Sequence, residues 1–397
     1  MAHPHRARDR AKRQGEAIAS IAASPSYLRI KATLKGIRRR RLWMQERLSL
    51  SQLSNLARNV LAFATHAERA APLPSVIKID ISPQCSLACT HCLHAVPEGR
   101  DKPLLAAQRF AKTDRMSLAQ YGRIIDQLRG RAVAVSLYYY GDPLIHPDLD
   151  AMIRMARAAG LAVHITTHFS YKLSLARIRS LVESGLSHIT VAVDGATQES
   201  YSATRVRGRL DFVLANLAMV AQVKRETGRA HPFVEVQHLR FPHHAPDERE
   251  RVQQIARDLG ADKFTTYSGL HKNPDGSFYN VVDDDPGDAP LPPARPLRPV
   301  PRCLWPYSST VIRFDGTVIP CCLWRVGRQY AEGEDPRGVG NIFETPLSAI
   351  WNSRPYRQLR RQVSNPRRFS KKEGCGSFCD GCPRLYEAPG ADQPAGG

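Results

Sequence analysis

The sequence lacks any apolar run that could cross a bilayer, because charged residues interrupt its longest apolar stretches. A membrane-spanning helix needs about 20 mostly apolar residues in a row. The N-terminal region also lacks the apolar core of a secretory signal. These two absences predict a cytoplasmic protein without a membrane span.

Acidic residues are few: the chain has 37 Asp and Glu against 57 Lys and Arg, a formal net charge of +20. The excess is concentrated in residues 1–50, where 13 basic and 3 acidic residues give a net charge of +10. Such a segment attracts nucleic acid, an anionic membrane surface or an acidic protein. Nucleic acid ranks last of the three, since no aromatic stacking platform or helix-turn-helix pattern accompanies the charge.

A fourth cysteine is missing from the loop at residues 85–92. Cys85, Cys89 and Cys92 lie close together, and the next cysteine along the chain is Cys303. Thiolates at this spacing can hold an iron–sulfur cluster by three corners, whereas closed clusters and structural zinc sites normally have four protein ligands. A zinc knuckle and three buried thiols are the alternatives. Disulfides are disfavoured, because the nine cysteines have metal-type spacing and no export signal is present.

The arrangement Cys85-x3-Cys89-x2-Cys92 resembles the signature of the radical S-adenosylmethionine (radical SAM) enzymes. The resemblance implies a 4Fe-4S cluster whose open iron binds S-adenosylmethionine. It also implies that this cofactor is cleaved reductively to a 5′-deoxyadenosyl radical, which removes hydrogen from an unactivated carbon. The protein then mainly positions and shields the reactants.

Six strand-like segments alternate with five helical ones between residues 76 and 267. This order requires parallel strands with helical crossovers, in a sheet that is either doubly wound or curled towards a barrel. Periodicity cannot choose between these, but the resemblance implies a partial (β/α)6 barrel with the cysteine loop directly after the first strand. Chemistry is then expected at the C-terminal ends of the strands.

Residues at three further strand ends fit the same resemblance. Gly141 and Asp142 resemble the Gly-Gly-Glu stretch that holds the amino group of S-adenosylmethionine, although a tyrosine replaces the first glycine and Asp142 is one methylene shorter than glutamate. A polar turn would explain the same two residues. Arg205 stands where an arginine of the family approaches the cofactor carboxylate. Thr167, which could also merely cap its strand, and His91 complete the predicted cofactor contacts. No catalytic acid or base is assigned.

A second cysteine-rich region begins at Cys303, and an Asp-Gly pair predicts a hairpin between Cys303 and Cys321. The spacing Cys303-x12-Gly316-x4-Cys321 resembles the SPASM and Twitch extensions, which bind auxiliary 4Fe-4S clusters. The resemblance implies that a full SPASM domain holds two auxiliary clusters with more cysteines than the six present here, so one fully ligated cluster is expected, with zinc as the alternative metal. The predicted ligands are Cys303, Cys321, Cys379 and Cys382, and either of the remaining thiols, Cys322 and Cys375, could exchange with its neighbour.

Composition and resemblance together divide the chain into five segments. Residues 26–65 carry apolar side chains at helical spacing among basic ones, which predicts a helical arm. The arm either packs on the barrel or docks on the inner face of an anionic membrane. The predicted segments are a partly disordered N-terminal helical arm at 1–74, a radical SAM barrel at 75–272, an Asp- and Pro-rich linker at 273–302, a small α+β iron–sulfur domain at 303–385 and a flexible tail at 386–397.

The sequence thus predicts a radical SAM enzyme that abstracts hydrogen from a small molecule, which is sugar-like, lipid-linked or another secondary metabolite. An oxidation is expected, because a fully ligated auxiliary cluster can accept an electron. An acidic flavodoxin- or ferredoxin-type protein is the expected electron donor. Peptide modification, RNA modification and a non-catalytic electron-transfer protein are the alternatives.

Overall fold

The computed structural model shows an α/β protein with a large, mostly parallel sheet. It describes residues 48–90, 111, 113–268, 270–272, 278–280, 303–321, 338–366 and 379. The helices in these ranges are α1 (Leu50–Ala64), α2 (Leu118–Leu128), α3 (Leu149–Ala158), α4 (Leu175–Glu183), α5 (Gln198–Thr204), α6 (Leu210–Thr227), α7 (Glu248–Asp258), α8 (Trp305–Ser308), α9 (Leu347–Trp351) and α10 (Arg354–Ser364). The strands are β1 (Val76–Ile79), β2 (Ala134–Ser136), β3 (Ala162–Thr167), β4 (His188–Ala192), β5 (Phe233–Arg240), β6 (Lys263–Ser268), β7 (Leu270–Lys272), β8 (Phe278–Asn280), β9 (Ser309–Ile312) and β10 (Val318–Ile319).

The eight-stranded sheet has the order β10-β9-β1-β2-β3-β4-β5-β6, and β7 pairs with β8 separately. Strands β1 to β6 are parallel neighbours in chain order, with helices between them. The predicted alternation of six parallel strands with helices is therefore confirmed. Helix α5 was not predicted, because its seven residues are too few to show an apolar period.

The two faces of the sheet differ in polarity. Ile77 and Ile79 of β1 are fully buried in the apolar core that the strands form with the surrounding helices. Lys78, between them, points to the opposite face, because side chains alternate along a strand. Its partner across β2 is Ser136, whose partner across β3 is His164. The inner face of the curved sheet is thus polar, whereas the outer face is apolar.

The C-terminal hairpin extends the barrel sheet. Strand β9 pairs in parallel with β1, where Val76 lies opposite Ser309, and β10 returns antiparallel to β9. Gly316 makes the predicted turn with φ 85, and a Cβ there would lie 2.3 Å from the ring of Phe343. Main-chain hydrogen bonds therefore join the predicted iron–sulfur region to the edge of the barrel.

Within the predicted arm the structure describes helix α1, which a capping box begins. It packs against the barrel through polar side chains. Gln52 donates to the carbonyl oxygen of Ala132 at 2.8 Å, and both Asn55 and Asn59 donate to the carbonyl of Leu73 at 2.9 Å. These carbonyls precede β2 and β1, so α1 lies at the N-terminal end of the barrel.

Several predicted segments lie outside the described residues, namely residues 1–47 of the arm, most of the linker and the tail at 386–397. Within the described ranges, no helix combines the length and the apolar character that crossing a membrane requires.

Candidate active site

The described residues among the predicted cofactor contacts and loop cysteines lie at the C-terminal ends of the strands. The cysteine loop follows β1, Gly141 and Asp142 follow β2, Thr167 ends β3, and Arg205 follows α5 after β4. The carboxyl ends of parallel strands share one edge of a sheet, so segments that are far apart in the chain converge here.

Gly141 lies directly against the start of the cysteine loop. A Cβ at Gly141 would lie 2.2 Å from the carbonyl oxygen of Gln84 and 2.3 Å from that of Ser82, closer than real Cβ contacts. The next residue, Asp142, donates its N–H to the same Gln84 carbonyl at 2.8 Å. Only glycine fits between the end of β2 and the loop that carries Cys85.

The other side of the cysteine loop is held by the end of α5. The N–H groups of Ala88 and Thr90 donate to the carbonyl oxygens of Val206 and Thr204, each at 3.1 Å. Cys89 is buried between these two bonds. The backbone of the loop is therefore positioned from both sides.

The Asp142 carboxylate is buried and connects β2 to β3. Its Oδ2 accepts hydrogen bonds from Thr167 Oγ1 at 2.7 Å and from the His168 N–H at 2.9 Å. Its Oδ1 accepts from the Leu144 N–H at 3.0 Å, which makes Asp142 the N-cap of a short 3-10 turn. A carboxylate oxygen has two lone pairs, and the Leu144 N–H uses one of those of Oδ1, so the second can serve a ligand.

Arg205 forms an ion pair with Asp194 and also reaches the cysteine loop. Its Nη2 and Nε lie 2.6 and 2.7 Å from Asp194 Oδ2, and its Nη1 lies 3.8 Å from the sulfur of Cys89. Asp194 Oδ1 accepts from the Leu239 N–H at 2.7 Å, which ties the pair to β5. Burial opposes the charge of Arg205, but Asp194 and Cys89 outweigh burial and raise its pKa. The guanidinium is thus a fixed positive charge beside a cysteine sulfur.

His168 and Tyr171 belong to the site but were missed in the sequence. The His168 ring packs 4.6 Å from the Tyr171 ring, and its Nε2 lies 3.3 Å from Asp142 Oδ2 and 3.5 Å from Ser86 Oγ. Burial lowers the pKa of His168, and the charge of Arg205 lowers it further against the opposing effect of Asp142. Only their position in the sequence could have indicated that they belong to the site, since both residues closely follow the end of β3.

A hydrogen-bonded network crosses the inner face of the barrel, and it was also missed. Ser136 Oγ lies 3.2 Å from His164 Nδ1, and His164 Nε2 lies 2.9 Å from Thr190 Oγ1. The His164 ring stacks on that of His188 at 4.4 Å, and His188 Nε2 lies 3.1 Å from Glu235 Oε2. Each of these side chains is unremarkable alone, and only the strand register brings them together.

Glu235 is the charged centre of this inner network. Lys263 Nζ and Thr265 Oγ1 lie 3.1 and 2.8 Å from its Oε1. Burial opposes ionisation of Glu235, but hydrogen bonds from His188, Thr265 and Lys263 outweigh it and lower its pKa to about 2. Closed (β/α)8 barrels fill this space with bulky aliphatic side chains. Here the inner face instead offers a polar lining.

Three of the four predicted auxiliary ligands lie around α8, β10 and α10. Cys303 and Cys379 both pack against the small apolar cluster of Ala62, Tyr307 and Val363. Cys321 lies two residues after β10. Burial raises the pKa of Tyr356 in α10, and Cys321 is close enough to raise it further. Two cysteines that are far apart in the sequence thus contact one apolar cluster.

Arg360 holds the region around α8, β10 and α10 together by hydrogen bonds in its interior. Its side chain is fully buried and donates to the carbonyl oxygens of Trp351, Pro306 and Glu68 at 2.8, 2.9 and 2.9 Å. Burial lowers its pKa to about 10, so it remains protonated at neutral pH. One guanidinium therefore connects the segment that follows α1 to α8 and to the end of α9.

The described residues include two of the three loop cysteines and three of the four auxiliary ones; His91, Cys92, Cys322, Cys375 and Cys382 lie outside them. In this described part, no three His, Cys, Asp or Glu side chains form a metal site. The surroundings nevertheless suit a sulfur-ligated cluster, because Gly141 leaves backbone room beside Cys85 and Arg205 places positive charge beside Cys89.

Comparisons with protein families match two parts of the chain. Residues 79–284 match the radical SAM superfamily, and residues 303–383 match an iron–sulfur cluster-binding domain, SPASM. The second match begins at Cys303 and includes all the predicted auxiliary cysteines.

Two curated relatives are similar to this chain over about half of its length. A PqqA peptide cyclase of Ruegeria pomeroyi is 28% identical over 196 residues, which cover 49% of this chain and 47% of the relative. A GTP 3′,8-cyclase of Chlorobaculum tepidum is 25% identical over 207 residues, which cover 47% of this chain and 58% of the relative. This chain thus spans about half the length of these two proteins.

Among solved structures, Streptococcus suis SuiB is similar with a TM-score of 0.55 and 15% identity, over 85% of this chain and 79% of SuiB. At that identity the similarity shows the fold alone. S-adenosylmethionine and 4Fe-4S clusters are the cofactors that the two family matches imply. The family match over more than half of the chain, together with the cysteine loop at the strand ends, shows that this protein is an enzyme of the radical SAM superfamily with a SPASM iron–sulfur domain.

Proposed function

We propose that this enzyme cleaves S-adenosylmethionine reductively and abstracts hydrogen from a carbon of a polar small molecule. The observation that carries the proposal is the cysteine loop, held between Gly141 and Arg205 at the C-terminal ends of the strands. Cys85, Cys89 and Cys92 would hold the catalytic cluster. With its cofactor, this cluster supplies a 5′-deoxyadenosyl radical that removes hydrogen from an unactivated carbon.

The residues beside the cysteine loop would orient the cofactor. The remaining lone pair of Asp142 Oδ1 would accept the cofactor's amino group, while Thr167 and His168 hold the carboxylate in place. Arg205 commits Nε and Nη2 to Asp194 and one Nη1 donor to Cys89, which leaves further N–H groups of its five for the cofactor carboxylate.

The inner face of the barrel supports a polar substrate. Thr166 lies opposite Thr190, one layer nearer to the cysteine loop than the His164 and His188 pair, and Gln237 lies opposite Ala192, two layers nearer. Both are half-buried, and neither side chain forms a hydrogen bond with the described residues. Their hydroxyl and amide groups would bind a hydroxyl-bearing substrate, since polar lining groups determine ligand orientation in a pocket.

The auxiliary region would accept an electron during the reaction. Cys303, Cys321, Cys379 and Cys382 would complete the coordination of one 4Fe-4S cluster. A cluster without an open iron suits electron transfer better than substrate binding, which supports a two-electron oxidation. The net charge of +20 supports an acidic flavodoxin- or ferredoxin-type donor.

A peptide substrate is the second candidate, and the comparisons favour it. One relative is named PqqA peptide cyclase, and SuiB has been solved bound to the precursor peptide SuiA. A peptide would reach the same polar inner face with one side chain while the remainder lies outside the barrel.

The test of the proposed function is formation of 5′-deoxyadenosine by the reconstituted full chain with a chemical reductant and S-adenosylmethionine. We expect formation by the natural sequence and none by Cys89→Ala, which should keep about four irons per chain in the auxiliary cluster. Cys375→Ala, outside both predicted ligand sets, is the control and should retain cleavage. Cleavage by Cys89→Ala would contradict the ligand assignment, and no cleavage by the fully loaded natural protein would favour a purely electron-transferring role.

A further inference from the structure

Helix α1 presents apolar side chains to solvent and polar side chains to the protein. Asn55 and Asn59 are almost fully buried, whereas Leu50, Leu53 and Leu61 are 86%, 41% and 62% exposed. Amphipathic helices on a protein surface normally have the opposite orientation. The hydrogen bonds that α1 makes to barrel carbonyls fix this inverted orientation, so the leucines cannot turn inward.

The exposed side chains form one continuous face along the helix. Leu50, Leu53, Ala57, Leu61 and Ala64 are all exposed, and at 3.6 residues per turn they fall within about 80° of arc. An apolar face of this kind on a soluble domain marks an interaction surface. It is a convex helix surface, which suits insertion into the headgroup region of a lipid bilayer better than binding of another helix in a groove.

Positive charge accompanies this face. Helix α1 contains no Asp or Glu, and its exposed Arg58 borders the leucines. Residues 1–50, which lead into the helix, have a net charge of +10. A second copy of the chain would carry the same charge and be repelled, whereas an anionic bilayer would attract it and accept the leucine side chains.

We propose that the Leu50, Leu53 and Leu61 face of α1 binds the surface of an anionic membrane. The carbonyls that hold α1 belong to Gly130, Ala132 and Gly160, which precede β2 and β3, so the face lies at the opposite end of the barrel from the cysteine loop. The bound enzyme would turn its cysteine loop away from the bilayer. Its substrate would then reach the site from the aqueous side and not from within the lipid.

The test is binding of the full chain to vesicles of phosphatidylcholine with about 30% phosphatidylglycerol. We expect binding to these vesicles and little to phosphatidylcholine alone. The triple variant Leu50→Gln, Leu53→Gln and Leu61→Gln should bind about tenfold more weakly or worse, because both the leucines and the charge contribute. Ile145→Gln is the control, since Ile145 is 42% exposed in the turn after β2, on the side of the cysteine loop.

Equal binding of the triple variant and the natural protein would overturn the proposal, as would an absence of binding by the natural protein. A variant with Leu50→Trp gives a second measurement, because its fluorescence should be quenched by brominated acyl chains. The alternative is that residues 1–47 cover this face. In that case their deletion should make the protein aggregate, and the tryptophan of the Leu50→Trp variant should remain unquenched. These two results together would also overturn the proposal. Binding that persists at 1 M salt, where the screening length is about 3 Å, would exclude the anionic headgroup as the partner.

Discussion

Gly141 is the residue whose identity is most tightly constrained, because backbone atoms surround the position of its missing side chain. We expect Gly141→Ala to displace the loop that carries Cys85, since the new Cβ would lie 2.2 Å from the Gln84 carbonyl oxygen. Iron content after reconstitution should fall by about four atoms per chain, the content of one cubane cluster. Gly122→Ala is the control, because a Cβ there would meet Met155 Sδ at an ordinary 3.5 Å. Unchanged iron in Gly141→Ala would show that the loop can move without losing its metal.

Asp142 connects two strand ends through three hydrogen bonds to one carboxylate. We expect Asp142→Ala to weaken binding of S-adenosylmethionine without removing iron, because the Thr167 hydroxyl and the N–H groups of His168 and Leu144 lose their acceptor. Each buried donor left without a partner costs about 1–3 kcal/mol. Titration calorimetry with the cofactor and an iron assay measure the two effects. Asp150→Ala, which removes a carboxylate paired with Arg177 at 2.7 Å, is the control. Unchanged cofactor affinity in Asp142→Ala would show that another residue binds the cofactor's amino group.

Arg205 places a positive charge and an N–H donor beside a predicted cluster ligand. We expect Arg205→Gln to make the reduction potential of the catalytic cluster more negative, because hydrogen bonds to sulfur and nearby positive charge stabilise the reduced form. A redox titration followed by electron paramagnetic resonance measures the shift. Arg207→Gln removes the same charge from an exposed position two residues away and should have little effect. Equal shifts in both variants would mean that the contact with Cys89 is unimportant.

At the scale of elements, one buried arginine of α10 connects this helix to three other segments of the protein. We expect Arg360→Met to lower the free energy of unfolding by about 3 kcal/mol or more, because the carbonyls of Trp351, Pro306 and Glu68 lose their donors. Arg360→Lys should not restore stability, since a single ammonium cannot reproduce the planar fork. Urea denaturation measures the change.

The neighbouring residue of the same helix provides the control. Arg361 is exposed and pairs with Glu68 at the surface, so Arg361→Met should cost less than about 1 kcal/mol. Loss of auxiliary iron in Arg360→Met but not in Arg361→Met would show that the hydrogen bonds of Arg360 also position the cysteines around α8. Similar stability of the two variants would contradict the interpretation of Arg360 as a brace.

For the whole molecule, buried and half-buried histidines make stability depend on pH. Burial lowers the pKa of His244 to about 4, with further lowering by His238 and His243 against the opposing charge of Glu248. Between pH 6.5 and pH 4 the unfolded chain binds a proton at His244 that the folded chain does not, so stability falls as pH falls through this range. The loss is at most about 1.4 kcal/mol per pH unit for one such residue, and less with partial exposure.

Urea denaturation at pH 7.5, 6.5 and 5.5 measures this dependence. His244→Gln should reduce the slope below pH 6.5, whereas His243→Gln, at an exposed position, should leave most of it. An identical slope in His244→Gln and the natural protein would assign the effect to other buried histidines, such as His146 and His168, whose pKa burial lowers in the same direction.

The helices and strands of the barrel could be predicted from the sequence because their signals are local. Alternation over Val76–Ile79 and the capping box at Ser117 each involve a few neighbouring residues. The pairing of β9 with β1 could not be predicted, because the two strands are more than 200 residues apart and their residues would suit many partners. The domain boundaries proposed from composition stay predictions, and this pairing shows that a change in composition need not separate two sheets.

The sequence by itself determined the chemistry of the protein: the spacing of Cys85, Cys89 and Cys92, the strand that precedes them and the second set of cysteines are all written along the chain. Only the tertiary structure decided what surrounds that chemistry. It placed Arg205 against Cys89, assembled the polar inner face and turned the leucines of α1 outward. The physical reason is that these arrangements depend on hydrogen bonds between side chains and distant backbone or side-chain groups, and such partners leave no periodic trace in the order of residues.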